Sequence, residues 1–219
     1  TAIIAVTSGI FLLITGLLIA KPILEALDTP EDVIDLAVLY LRIYSLGMPF
    51  MMIYNFGAAI LRSLGDTKRP FYSLVVAGAI NVGLNLLLVI EFEMSVAGVA
   101  VATVISNIVN AGIIVFFLTH EKGVFRLELK QLSISKAELK KILQIGVPAG
   151  IQGMVFSISN VFVLATINSF GSAAVAGSSA ALNYEYYCYF VVSAFAQATV
   201  AFTSQNYGAG QIERCKTIF

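Results

Sequence analysis

Read only for apolar and polar positions, the chain divides into long charge-free stretches separated by short polar breaks. No charged residue occurs at 1–20, 43–61, 71–90 or 94–119, nor from Ile142 to Tyr184. About 20 apolar residues carry a helix across a hydrocarbon core of roughly 30 Å. Each window reaches or approaches that length, and the last is long enough for one helix, a turn and the start of another. Runs this continuous do not fit the alternating segments of about ten residues that build a transmembrane barrel. A helix, by contrast, satisfies its own backbone inside lipid. The pattern predicts an all-α, polytopic transmembrane bundle with six spans: 2–25, 33–63, 70–91, 95–119, 142–169 and 174–205.

Local signals agree with these bounds. Thr29-Pro30-Glu31-Asp32 offers a cap, a proline at the first helical position and two acids in the first turn. Gly65-Asp66 marks a turn, and Pro70 opens the third span. Ser135-Lys136-Ala137-Glu138 has the form of a capping box and starts a short amphipathic lead-in to the fifth. Pro49 and Pro148 are kink candidates inside their helices. The first window lacks a basic leader and is too long for the apolar core of a secretory signal, so it reads as a span.

Composition supports the same class. Hydrophobic residues make up 58% of the chain and charged residues 12%, against about 25% charged in a soluble domain; mean hydropathy is +0.90. Lys and Arg, which accumulate in cytoplasmic loops, are distributed unevenly. Eleven of the 13 fall in one alternating set of segments: Arg62, Lys68 and Arg69; then Lys122 through Lys141; then Arg214 and Lys216. The opposite side has Lys21 and Arg42 among the acids Glu25, Asp28, Glu31, Asp32, Asp35, Glu91 and Glu93. Both chain ends are therefore expected on the cytoplasmic side. The polar loop 120–141 divides four helices (1–119) from two (142–219), as a junction between halves of a larger repeat would. The chain begins without Met in an apolar run and ends at Ile218-Phe219, which resembles a helix start; it is expected to be part of a longer protein.

Several function classes drop out. Cys188 and Cys215 have no metal-ligand spacing and no evident disulfide partner. Net charge is zero, and no basic tract points to nucleic acid. No phosphate-binding G-x-x-x-x-G-K-[ST] loop is present, so nucleotide hydrolysis by that machinery is not expected. Nothing else in the sequence suggests an enzyme or a cofactor.

Polar side chains at bilayer depth carry the remaining information, because their burial is costly. Asn81 and Asn85 lie four residues apart on one face of the third span. The fourth span carries Thr103, Ser106, Asn107 and Asn110; the fifth carries Gln152, Ser157, Ser159 and Asn160; the sixth carries Asn183 and Glu185. Such groups serve either as glue between helices or, for the Asn81/Asn85 pair, as two carboxamides converging on a cation or a water cluster. Glu185 is the one carboxylate deep in a span: a proton carrier if buried, an ordinary carboxylate if it faces water. The aromatic run Tyr184, Tyr186, Tyr187, Tyr189 and Phe190 suits either an interfacial belt or a cavity wall for flat organic compounds.

The ordered motifs Ala59-Ala-Ile-Leu-Arg-Ser-Leu-Gly-Asp-Thr-Lys-Arg-Pro70, Ala79-Ile-Asn-Val-Gly-Leu-Asn85, Val96-Ala-Gly-Val-Ala-Val-Ala-Thr-Val-Ile-Ser106, Ile145-Gly-Val-Pro-Ala-Gly150 and Gln205-Asn-Tyr-Gly-Ala-Gly-Gln-Ile-Glu-Arg214 together resemble the multidrug and toxic compound extrusion (MATE) family. That resemblance implies a twelve-helix, two-lobe transporter, of which this chain would supply helices three to eight. It also implies antiport: export of small amphipathic or cationic organic compounds, drugs and toxins among them, in exchange for Na⁺ or H⁺. The family's first-lobe cation site maps onto Asn81, Asn85 and Thr103, with Asn85 in place of the expected carboxylate and the partner Asp of helix one outside the chain. A helix-seven Glu of some members falls at Phe156, which leaves Glu185 as the second-lobe carboxylate. Gln152, Asn160 and Tyr184 are the candidates for the substrate cavity, and Arg62, Gly65, Asp66, Pro148 and Gly208 for a conformational, cytoplasmic motif; the mechanism implied is largely rigid-body rocking of the lobes. No metal is expected beyond Na⁺; the partners are the organic substrate, membrane lipids and the remaining helices, with no nucleic acid. The alternative is a lipid-linked oligosaccharide flippase of the same broader superfamily, whose cavity is commonly cationic, whereas no Arg or Lys lies deep in any span here.

Overall fold

The computed structural model describes residues 1–26, 31–121, 126–128, 132–168 and 170–218. Their regular structure is helical throughout: α1 (Ala2–Ala26), α2 (Glu31–Leu46), α3 (Met48–Ser63), α4 (Lys68–Leu86), α5 (Ser95–Thr119), α6 (Lys136–Asn168), α7 (Ser172–Gly208) and α8 (Ile212–Ile218). A π-helical turn, Leu87–Glu91, extends α4. Among the described residues five helices are long and apolar enough to cross a membrane, and the pair α2–α3 makes a sixth span if taken together. The cap read at Thr29-Pro30 lies outside the described residues.

The second expected span is broken rather than continuous. The axis bends by 45° between Val33–Leu46 and Met48–Ser63, with Gly47 at the joint and Pro49 just beyond it. Proline has no N–H to donate to the carbonyl four residues back, and its ring crowds that carbonyl. The bend is braced from both sides. A Cβ on Gly9 of α1 would lie 2.5 Å from the Pro49 Cα, and one on Gly47 would lie 3.3 Å from Asn107 Nδ2 of α5. Pro148, by contrast, sits inside a helix that runs on through it.

The chain forms two compact units, Thr1–Ser133 and Ile134–Phe219. In the first, α1 packs on α3 and α2, while α5 meets α4, α3 and α2. Close approach depends on small residues: a Cβ on Gly16 would meet Ser45 Oγ at 2.2 Å, and one on Gly57 would meet Ile114 Cγ2 at 2.3 Å. Packing through small residues replaces the hydrophobic drive that is absent between helices in lipid. Leu61, Ile114 and Leu118 form the core, flanked by Tyr54, Ile60, Phe117 and Leu127.

The second unit holds α6, α7 and α8. The lead-in read before 142 is no separate element, because α6 starts at Lys136 and continues through the span. The final helix begins at Ile212, after a turn in which Gly210 takes a φ of 72°. The apolar faces of α6 and α7 are exposed along their lengths, as expected of helices whose surroundings are lipid or further helices.

Candidate functional site

A seam of hydroxyls and amides runs between α4 and α5. Its deepest member is Ser73, fully buried, whose hydroxyl donates to the Asn110 carbonyl oxygen at 3.2 Å and to Asn110 Oδ1. Ala77, also buried, occupies the next turn of α4. One turn further on, Asn81 Nδ2 donates to Ser106 Oγ at 3.3 Å, and Ser106 donates in turn to the Thr103 carbonyl at 2.9 Å. Asn85 Nδ2 then donates to Asn81 Oδ1 at 3.0 Å. Ser73, Ala77, Asn81 and Asn85 repeat every four residues, the spacing that keeps side chains on one helix face.

One atom in this seam is left over. The side-chain oxygen of Asn85, Oδ1, is buried and has no hydrogen-bond partner among the described residues. A buried carbonyl without a donor costs on the order of 1–3 kcal/mol, so its presence asks for a reason. A cation of the hard, oxygen-seeking kind is one. Asn81 Oδ1 and the Thr103 hydroxyl oxygen each accept fewer bonds than their lone pairs allow, so the set offers neutral oxygen donors and no carboxylate.

The site residues read from the sequence separate accordingly. Asn81 and Asn85 are joined directly. Thr103 is tied to them through Ser106, but its own hydroxyl turns back to the Val99 carbonyl at 2.9 Å. Glu185, Gln152, Asn160 and Tyr184 belong to the second unit, where each lies exposed on α6 or α7. None of these four has a side-chain hydrogen bond among the described residues, and Gly208 forms the last residue of α7. Ser73 was not singled out in the sequence; its fourfold register with Asn81 and Asn85 was the available signal.

The turn after α3 holds a second cluster. Gly65 takes a φ of 84°, a conformation glycine adopts without strain. Asp66 follows, accepting the backbone N–H groups of Lys68 and Arg69 at 3.0 and 3.1 Å as α4 begins. Arg69 bridges Asp66 and Glu121, so the start of α4 is clamped to the end of α5; its guanidinium lies 5.9 Å from the Phe117 ring centroid. Burial pushes the Asp66 carboxyl up, but hydrogen bonds from the Arg69 backbone and side chain, the Arg69 charge and the Lys68 N–H together hold it below the usual carboxylate range. Arg62 is exposed, and the clamp falls to Arg69 instead. Arg126 and Leu127 bond back to the end of α5: the Leu127 N–H donates to the Leu118 carbonyl at 2.9 Å and Arg126 Nε to the Thr119 carbonyl at 3.2 Å.

Comparison with known proteins agrees with this architecture. The chain is 31% identical over 217 residues to the probable multidrug resistance protein YoeA of Bacillus subtilis, covering 96% of this chain and 47% of that protein. It is 32% identical to the probable multidrug resistance protein YpnP of the same organism, with coverages of 91% and 44%. A solved structure of a MATE protein in complex with MaD3S superposes with a TM-score of 0.90 at 25% identity, covering 99% of this chain and 49% of that one. The chain thus spans about half the length of the curated relatives it matches. The MatE family model matches residues 1–87 and 148–219, which include the α4 asparagines and part of each unit; this multi-pass membrane chain belongs to the MatE family.

Proposed function

We propose that the chain contributes to a secondary antiporter that exports amphipathic, often cationic, organic compounds across a bacterial inner membrane, with both chain ends cytoplasmic, and that Na⁺ is the ion bound by its first unit. The observation that carries the ion assignment is the buried side-chain oxygen of Asn85, Oδ1, which lies beside Asn81 without a partner among the described residues. An amide neither gains nor loses a proton in the working pH range, whereas its oxygen ligates a metal ion. None of Asn81, Asn85, Thr103 and Ser106 titrates there, so this seam cannot itself be the proton carrier. The export reading is supported by the multidrug resistance names of the two Bacillus relatives. Repeat-built transporters commonly work by rocking of rigid bodies around a site near mid-membrane, and the braced bend and the Arg69 clamp are suited to keeping the first unit rigid.

The test uses the intact protein in vesicles loaded with a fluorescent cationic dye, with Na⁺ and pH gradients imposed separately. Efflux driven by an inward Na⁺ gradient at equal pH is the expected result. Equal efflux under a pH gradient without Na⁺ would overturn the ion assignment. Silence under both gradients, alongside translocation of a lipid-linked sugar, would overturn export.

A further inference from the structure

The first turns of α6 carry a charged and apolar arrangement that the cation seam does not use. Ser135 starts the helix, its hydroxyl accepting the Glu138 N–H at 3.5 Å and its carbonyl the Leu139 N–H at 2.9 Å. Glu138 does not close the capping box but pairs with Lys141 at 3.0 Å. Lys136 and Lys140 are left one turn apart on a single face. Both are exposed, and neither has an anionic or hydrogen-bonding partner among the described residues. Like charges at this spacing repel and weaken a helix, unless one anion sits between them.

Below the two ammonium groups lies an apolar floor. Leu139, Leu143, Val147 and Pro148, with Gln144, continue the lysine face along α6 as a shallow, largely open groove of about 510 Å³ formed by this one helix. It runs from Lys136 toward Pro148 and therefore into the charge-free stretch that begins at Ile142. In a spanning helix the lysines then stand at headgroup depth and the groove descends among the acyl chains, an arrangement in which lysine stems lie along apolar surface while their charges stay among polar groups. The matching ligand is an anion with an apolar chain attached. Free phosphate would satisfy the ammonium groups and leave the floor bare; a zwitterionic lipid would bring its own cation against the lysines.

We propose that the Lys136–Lys140 face of α6 is a docking site for an anionic phospholipid, with its phosphate between the two ammonium groups and an acyl chain in the groove. The attraction of basic segments at a membrane surface to anionic lipid supplies the driving force. The site goes beyond the export reading and rests on α6 being a membrane span whose Lys136–Lys140 face meets lipid.

Thermal unfolding of the intact protein in neutral detergent tests it, with phosphatidylglycerol, phosphatidylcholine or inorganic phosphate added at equal concentration. Phosphatidylglycerol is expected to raise the midpoint by several degrees, because a ligand that binds only the folded state stabilises it; the other two additives leave it in place. Lys136→Gln/Lys140→Gln abolishes most of that shift, Lys136→Arg/Lys140→Arg keeps it, and Lys141→Gln, whose ammonium is already committed to Glu138, keeps it too. An equal shift with phosphatidylcholine or phosphate overturns the proposal, as does a full shift in the double Gln variant. So does a double Gln variant whose midpoint falls equally with and without lipid, since that result assigns the face to packing against protein. The readout is binding alone, so failure of drug efflux leaves it intact.

Discussion

Asn85 donates its side-chain N–H to Asn81 Oδ1 at 3.0 Å across one turn of α4, and this leaves Asn85 Oδ1 buried with no donor among the described residues. The two amides thus form a series with one open oxygen end. Asn85→Ala removes that oxygen, and Na⁺ binding measured by calorimetry on the intact protein is expected to weaken by about tenfold or more, the lower end of what loss of a group supporting a metal site costs. Asn85→Asp is the sharper variant. Its carboxylate would strengthen Na⁺ binding near neutral pH and make it fall as protons compete at lower pH, where the amide site stays flat between about pH 5 and 8. A flat profile in the Asp variant would show that position 85 does not touch the ion.

Ser73 and Asn110 make the deepest polar contact of the seam. Ser73→Ala leaves the Asn110 side-chain oxygen without its donor, which is expected to destabilise the first unit by about 1–3 kcal/mol. Pairing it with Asn110→Leu removes the stranded group as well, so the double variant should melt higher than the sum of the two single changes implies. Additive midpoints in detergent would mean that the hydrogen bond has no energetic role.

Gly57 is a position where size alone decides. The Cβ of an alanine would stand 2.3 Å from Ile114 Cγ2, on a side chain with no exposure, and 3.2 Å from Leu118 Cδ1. Gly57→Ala is expected to destabilise by about 1–3 kcal/mol, the range for overpacking a filled core. Ile114→Ala in the same chain should recover part of that loss by vacating the contested space, as a thermal-shift double-mutant cycle would register.

The Asp66 carboxyl, held low chiefly by its bonds with Arg69 against the opposing effect of burial, gives the α3–α4 turn a pH dependence of defined sign. A carboxyl depressed in the folded state contributes stability above its unfolded value, here near the ordinary 3.8, and loses that contribution as pH falls through the folded value below it. Asp66→Asn should therefore cost about 0.5–1 kcal/mol at neutral pH, the scale of a partly solvent-exposed ion pair. The gap between the two proteins should close below about pH 4. A gap that keeps its size on acidification would mean that the cost does not come from the charge of the Asp66 carboxylate.

The spans were legible because their evidence is compositional: a charge-free run of the right length needs no partner to be recognised. The Asn81/Asn85 pair was legible because helical spacing alone puts both amides on one face. What stayed hidden depends on other elements. The break at Gly47 showed only as Pro49, since the bracing by Gly9 and Asn107 comes from helices distant in sequence. Arg62 and Arg69 are equivalent as letters in one motif; only the approach of Glu121, 52 residues after Arg69, distinguishes them. Thr103 has the composition of a ligand, yet its hydroxyl is taken up by its own helix, a local competition that spacing does not reveal. Glu138 likewise has the spacing of a capping box, but the nearby ammonium of Lys141 draws its carboxylate away.

The π turn at Leu87–Glu91 has a consequence for chain length. A π turn closes its hydrogen bonds one residue later than an α turn, so the end of α4, directly after the asparagine pair, stores one residue of slack. Past it the chain turns into α5 through Glu93 and Ser95, both left-handed at φ 51° and 49°. Ile90 is 67% exposed, so deleting it removes little packing and lets the turn rewind as α-helix. A one-residue deletion here should leave a folded protein. Between the cation seam and the next span, the fold holds a length reserve that later sequence change can use without disturbing the register of Asn81 and Asn85.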